Sequence, residues 1–88
     1  MSHLQGGIAV ITGAASGFGL ECSRIAARLG MRIVMADVQA DALASAQREI
    51  EALGAPVLPF RLDVSRAVEV EALAAATLQR FGTPHFVF

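Results

Sequence analysis

Three glycines at unequal spacing follow an apolar run near the start of the chain. The segment Thr12–Gly19 (TGAASGFG) comes directly after Ile8–Ile11 and leads into a helical pattern. A strand, a glycine turn and a helix in this order present main-chain N–H groups and the positive end of a helix dipole to a phosphate group. We expect Gly13 to allow the tight turn, Gly17 to leave room where phosphate approaches, and Gly19 to let the helix lie close to the sheet.

An acidic residue follows the second apolar strand at a distance typical of nucleotide sites. Asp37 comes directly after Arg32–Ala36, close to the position about 20 residues past the glycines where a ribose-binding carboxylate is expected. Such a carboxylate accepts hydrogen bonds from both ribose hydroxyls of NAD. It repels the 2′-phosphate of NADP by about 4 kcal/mol per charge pair at about 4 Å, before screening. Because no basic residue follows in Val38–Ala40, the sequence predicts NAD rather than NADP. The alternative is a solvated loop acid.

The order Thr12-Gly13-x3-Gly17-x-Gly19, then Asp37, then Asp63-Val64 resembles the short-chain dehydrogenase/reductase family. The resemblance extends over essentially the whole chain and implies that Asp63 and Val64 contact the adenine ring. The alternative for Asp63 is that it caps the third helix together with Ser65, and both roles are compatible.

Two residues inside the glycine turn have more than one interpretation. The hydroxyl of Ser16 either donates to the phosphates or satisfies the main chain of its own turn. Phe18 stands where the resembled family usually has Ile, and its N–H can serve the pyrophosphate with any side chain. Its ring either leans on the nicotinamide side or packs against the protein.

The resemblance implies hydride transfer between a nicotinamide cofactor and an alcohol or carbonyl substrate. In that family the reaction uses Asn, Ser and a Tyr-x3-Lys pair, yet these 88 residues contain no Tyr, Lys or Asn. We therefore expect cofactor-binding residues and no catalytic residue here. Two function classes stay open: the N-terminal part of an oxidoreductase, which the resemblance implies to be a homo-oligomer, and a stand-alone dinucleotide-binding or interaction module without turnover.

Alternating strand and helix patterns predict an α/β fold with a parallel sheet. We expect one partial domain over residues 1–88, the first half of a doubly wound Rossmann-type sheet with strand order 3-2-1-4 and three helices. The strands are predicted at about 7–12, 32–36, 56–62 and 85–88, and the helices at about 17–29, 40–53 and 66–81. The first two helices should share one face of the sheet, and a ligand crevice should open between the ends of strands 1 and 4. Apolar helix positions expected to face inward include Ile25, Leu53, Val70, Leu73, Ala74 and Leu78.

Composition narrows the function classes. A net charge of −1 gives no basic footprint for nucleic acid or an anionic membrane. No apolar stretch approaches the ~18 residues of a membrane span, and no secretory signal pattern is present, so we expect a cytoplasmic protein. The single Cys22 is expected to be a buried or half-buried thiol, and a metal site is not expected. The hydrophobic fraction of 55% favours a further covering surface or a dimer.

Overall fold

Strands and helices alternate along the chain. The structure, a computed structural model, describes residues 6–63 and 65–88. The elements are β1 (Ile8–Thr12), α1 (Gly17–Arg28), β2 (Arg32–Asp37), α2 (Ala40–Ala52), β3 (Val57–Arg61), α3 (Ala67–Arg80) and β4 (Phe86–Val87). Each predicted boundary lies within one residue of the observed one.

The four strands form one parallel sheet in the order β3-β2-β1-β4, as predicted. β1 is central, and Ile8 to Ile11 are buried because the sheet is covered on both faces there. Its register places Thr12 beside Ala36, so the turn after β1 begins next to the end of β2. β3 is an edge strand, which explains how it tolerates Pro59.

The helices divide between the two faces as predicted. Buried residues of α1 and α2, such as Ala26 and Ile50, pack with Ile11, Ile33 and Met35 on one face. Leu73 of α3 packs on the other face with Val10, Val34, Ala36 and Leu62. The buried positions of α1 are all small, namely Gly19, Ser23, Ala26 and Ala27. Small side chains allow the main chain of α1 to approach the sheet closely.

Several apolar helix residues that we expected to be buried are exposed. Ile25 is 48% exposed, Leu78 is 56% exposed, and three others are also exposed: Leu53, Val70 and Ala74. Ile25 lines an apolar groove beside Phe86 on one face. Leu78 lines a second groove beside Val87 on the opposite face. The prediction failed because helical spacing defines an apolar stripe but not how far along it a neighbouring element reaches.

The first strand is tied to β4 beyond the paired residues. The Nδ1 of His85 accepts a hydrogen bond from the Ile8 N–H at 3.1 Å. The Phe88 carbonyl accepts from both the N–H and the hydroxyl of Thr12, at 2.9 Å each. The imidazole therefore extends the β1–β4 ladder by one side-chain acceptor.

Cys22 is half-buried, as predicted. In residues 6–63 and 65–88, no helix has the length and apolar character needed to cross a bilayer.

Candidate functional site

The glycine turn connects β1 to α1 through two left-handed residues. Gly13 has φ +61° and Gly17 has φ +58°, and residues other than glycine adopt these values only at a cost in free energy. A Cβ atom at either position would meet nothing within 4 Å. Glycine is therefore required at both positions by backbone conformation, and the space outside the turn is open.

Gly19 also lies in close contact with the glycine turn itself. It is a buried helical residue, and a Cβ atom here would lie 2.0 Å from the Gly13 carbonyl oxygen. The nearest atoms to such a Cβ belong to the main chain of the turn, at Gly13 and Ala14. The absence of a side chain at Gly19 lets α1 begin directly against the turn that precedes it.

The amino end of α1 is open to an anion. Ser16 is the N-cap, yet its hydroxyl makes no capping hydrogen bond, and the first helical turn contains no acidic residue. The alternative in which Ser16 satisfies its own main chain is thus not observed, while a contact with phosphate stays a prediction. The ring of Phe18 is 83% exposed, so it does not pack against the described part of the chain. Free N–H groups and the helix dipole at this end favour negative charge.

Asp37 joins the end of β2 to the glycine turn. Its Oδ2 accepts a hydrogen bond from the Ala15 N–H at 3.0 Å. Its Oδ1 accepts from the Gln39 N–H at 3.0 Å. The Ala14 N–H donates to the Ala36 carbonyl, also at 3.0 Å. The sequence indicated a carboxylate here but not these bonds, which depend on the register between β1 and β2.

Asp63 lies at the same edge of the sheet, after β3. Its Oδ1 accepts from the hydroxyl of Ser65 at 2.7 Å and from the Ser65 N–H at 3.0 Å. These two bonds hold the pKa of Asp63 below its usual value, the hydroxyl contributing most. The alternative in which Asp63 and Ser65 cap the third helix is not observed, because Arg66 is the N-cap and no side chain makes a capping hydrogen bond to α3. Val64, the other predicted adenine contact, lies outside the described residues.

A cleft of about 390 Å³ at the carboxyl ends of β1, β2 and β3 brings three of the predicted residues together, while Ser16, Gly17, Phe18 and Gly19 are not in its lining. Its lining includes Gly13, Asp37 and Asp63, together with Thr12, Ala36, Val38 and Leu62. This cleft opens on the β2–β3 side of the turn, and the crevice expected between the ends of β1 and β4 stays a prediction. The described residues contain no cluster of three His, Cys, Asp or Glu side chains suited to a metal ion.

A parallel sheet of order 3-2-1-4, a glycine turn after its central strand and acids after the next two strands define a dinucleotide-binding α/β fold. The family model described as short chain dehydrogenase matches residues 7–86. The chain therefore belongs to the short chain dehydrogenase family.

Individual relatives agree with this assignment. A short chain dehydrogenase/reductase from Burkholderia phymatum, solved in complex with NAD, is 46% identical and superposes on all of this chain with a TM-score of 0.95. The L-sorbose reductase of Gluconobacter frateurii, solved with NADPH and L-sorbose, is 34% identical over 94% of the chain, with a TM-score of 0.90. A 1-deoxy-11-beta-hydroxypentalenate dehydrogenase of Streptomyces exfoliatus is 45% identical over 80 residues, which is 91% of the chain.

The chain matches only a part of each of these proteins. It spans 31% of the Burkholderia protein, 32% of the sorbose reductase and 29% of the Streptomyces dehydrogenase.

Proposed function

We propose that this chain is the cofactor-binding part of an oxidoreductase that transfers hydride between a nicotinamide dinucleotide and an alcohol or carbonyl substrate. The observation that carries the proposal is the single cleft that Gly13, Asp37 and Asp63 line at the ends of three adjacent strands. When bound, the nicotinamide ring supplies the hydride chemistry. A cytoplasmic location and a homo-oligomeric whole protein stay predictions.

The described residues suit the parts of such a cofactor. The open amino end of α1, with Gly17 and the N–H of Phe18, would hold the pyrophosphate. Asp37 would accept from the adenosine ribose, and Asp63 with Val64 would bind the adenine. Ser16 would add a hydroxyl donor to the phosphates. No residue of these 88 is assigned to proton transfer, because Tyr, Lys and Asn are absent from the sequence.

We further propose that the site prefers NAD to NADP. Asp37 is half-buried, and its charge opposes a 2′-phosphate placed on the ribose. Two features act in the other direction: Arg61 is the register partner of Asp37 on β3, and solvent screens exposed charges. The net preference expected is about tenfold in dissociation constant.

Isothermal titration calorimetry with NADH and NADPH tests both proposals. We expect both to bind and NADH to bind more tightly, with the difference increasing in Arg61→Gln, because that variant loses the cation that is the register partner of Asp37. Equal affinities for NADH and NADPH would contradict only the proposed preference for NAD and would leave the cofactor-binding function intact. Failure of both cofactors to bind at millimolar concentration would contradict the cofactor-binding function.

A non-catalytic dinucleotide-binding module is the second candidate, and the absence of Tyr, Lys and Asn from these 88 residues is compatible with both candidates. Both candidates predict that the 88-residue chain forms no NADH from NAD and a secondary alcohol. The intact mass of the native protein distinguishes them. A mass near three times that of this chain, with a Tyr-x3-Lys pair in the added sequence, supports the oxidoreductase. A native mass of 9.2 kDa supports the module.

A further inference from the structure

Two successive N–H groups of the glycine turn are bound by the end of β2. The Ala14 N–H donates to a main-chain carbonyl, and the Ala15 N–H donates to the carboxylate of Asp37, each at 3.0 Å. We propose that Asp37 is a positioning residue for the phosphate-binding turn, independently of any contact it makes with ribose. The inference rests on the proposed cofactor-binding function and adds a second role to one of its residues.

The glycine turn needs hydrogen bonds from another element to hold its conformation, because its own backbone can adopt many conformations. Gly13 and Gly17 flank Ala15 on either side, and glycine has more accessible backbone conformations than any other residue. No side chain caps the helix that begins immediately after Ser16. The carboxylate of Asp37 is itself fixed, because its second oxygen accepts from the Gln39 N–H. A fixed anionic acceptor holds the Ala15 N–H more strongly than a neutral one.

Direct contact and positioning predict different effects of removing Asp37 on the affinity for a suitable ligand. The probe is 2′,3′-dideoxyadenosine 5′-diphosphate, which keeps the adenine and both phosphates but lacks the ribose hydroxyls. If Asp37 only accepted from ribose, its removal would leave the affinity for this probe unchanged. If it acted only through charge, its removal would strengthen the binding of the anionic probe. Positioning of the turn predicts weaker binding.

Calorimetry on the 88-residue chain compares the wild type with three variants. Asp37→Ala should weaken binding of the dideoxy probe by about tenfold, since it loses a charge-assisted bond that orients the turn. Asp37→Asn should weaken binding less than Asp37→Ala, because the amide oxygen can still accept from the Ala15 N–H, although the amide nitrogen cannot accept from the Gln39 N–H. Asp41→Ala removes an exposed acid from the first turn of α2 and is the control for charge. Unchanged or tighter binding by Asp37→Ala would overturn the proposal.

Amide hydrogen exchange in the ligand-free protein gives a test that needs no cofactor. In the wild type, the Ala15 N–H should exchange at least about tenfold more slowly than the N–H of Phe18 in the first turn of α1. Asp37→Ala should remove that protection while the N–H of Ala14 stays protected. Equal rates for Ala15 and Phe18 in the wild type would overturn the proposal even if the alanine variant did not fold. Failure of the wild type to bind NAD would contradict the proposed function, and Ala15 exchange would still decide the positioning role.

Discussion

Replacing Gly19 with alanine tests how closely α1 packs against the turn that precedes it. A methyl group here would lie 2.0 Å from the oxygen and 2.6 Å from the carbon of the Gly13 carbonyl. An ordinary contact begins near 3.4 Å, so the two groups would have to separate by about 1.4 Å (3.4 − 2.0). The obstructing atoms belong to the main chain, and no change of rotamer relieves the collision.

Most replacements of glycine by alanine within helices increase stability, whereas Gly19→Ala is expected to decrease it. Alanine normally stabilises a helix by about 0.5–1 kcal/mol relative to glycine. Overpacking costs about 1–3 kcal/mol, and a collision with backbone lies at the upper end of that range. We therefore expect Gly19→Ala to lower the free energy of unfolding by about 2 kcal/mol. That is a large part of the roughly 5–10 kcal/mol typical of a small domain.

Urea unfolding followed by circular dichroism measures this change, and Gly17 provides the matched control. At Gly17 the same methyl group meets nothing within 4 Å, but φ is +58°. Gly17→Ala should cost about 1 kcal/mol, and Gly17→Asn less, because asparagine tolerates the left-handed conformation. At Gly19, alanine and asparagine should be equally harmful. A Gly19→Ala protein as stable as the wild type would refute the close packing.

Three further changes test separate contacts. Ser65→Ala should raise the pKa of Asp63 toward its usual value in an NMR titration, since the Ser65 hydroxyl is the main cause of its lowering. The stabilisation linked to that lowered pKa is present above about pH 4 and is lost as the pH falls through the pKa of Asp63 in the folded protein. Acid unfolding of Ser65→Ala should therefore begin at a higher pH than that of the wild type. An unchanged pKa of Asp63 in the variant would contradict the role of the Ser65 hydroxyl. His85→Leu removes the acceptor for the first N–H of β1 and should cost about 0.5–1 kcal/mol, with faster exchange of that amide as the specific sign. Ile50→Ala empties a fully buried position and should cost about 2–5 kcal/mol in urea unfolding; a loss below about 0.5 kcal/mol would place that side chain outside the core.

Local chemistry explains why much of this protein is predictable from its sequence. Helical spacing and the glycines that end helices predicted the bounds of each helix and strand to within one residue of those observed. These signals act between residues that are close in the chain. The tight turn at Gly13 follows in the same way from a chain that must leave a strand and enter a helix, whereas the left-handed conformation of Gly17 was not part of the prediction. Right-handed crossovers between parallel strands then leave few possible strand orders.

Tertiary structure alone decided the features that join distant parts of the chain. The bond from Ala15 to Asp37 and the bond from Ile8 to His85 exist because strand register brings those groups within 3.1 Å. The exposure of Ile25 is also a tertiary feature, because it depends on which elements cover the apolar groove that Ile25 lines beside Phe86. The sequence determined that a glycine turn and two acids would stand at strand ends. Only the fold decided that one of those acids also holds the turn, because hydrogen bonds depend on distances in space and not on spacing along the chain.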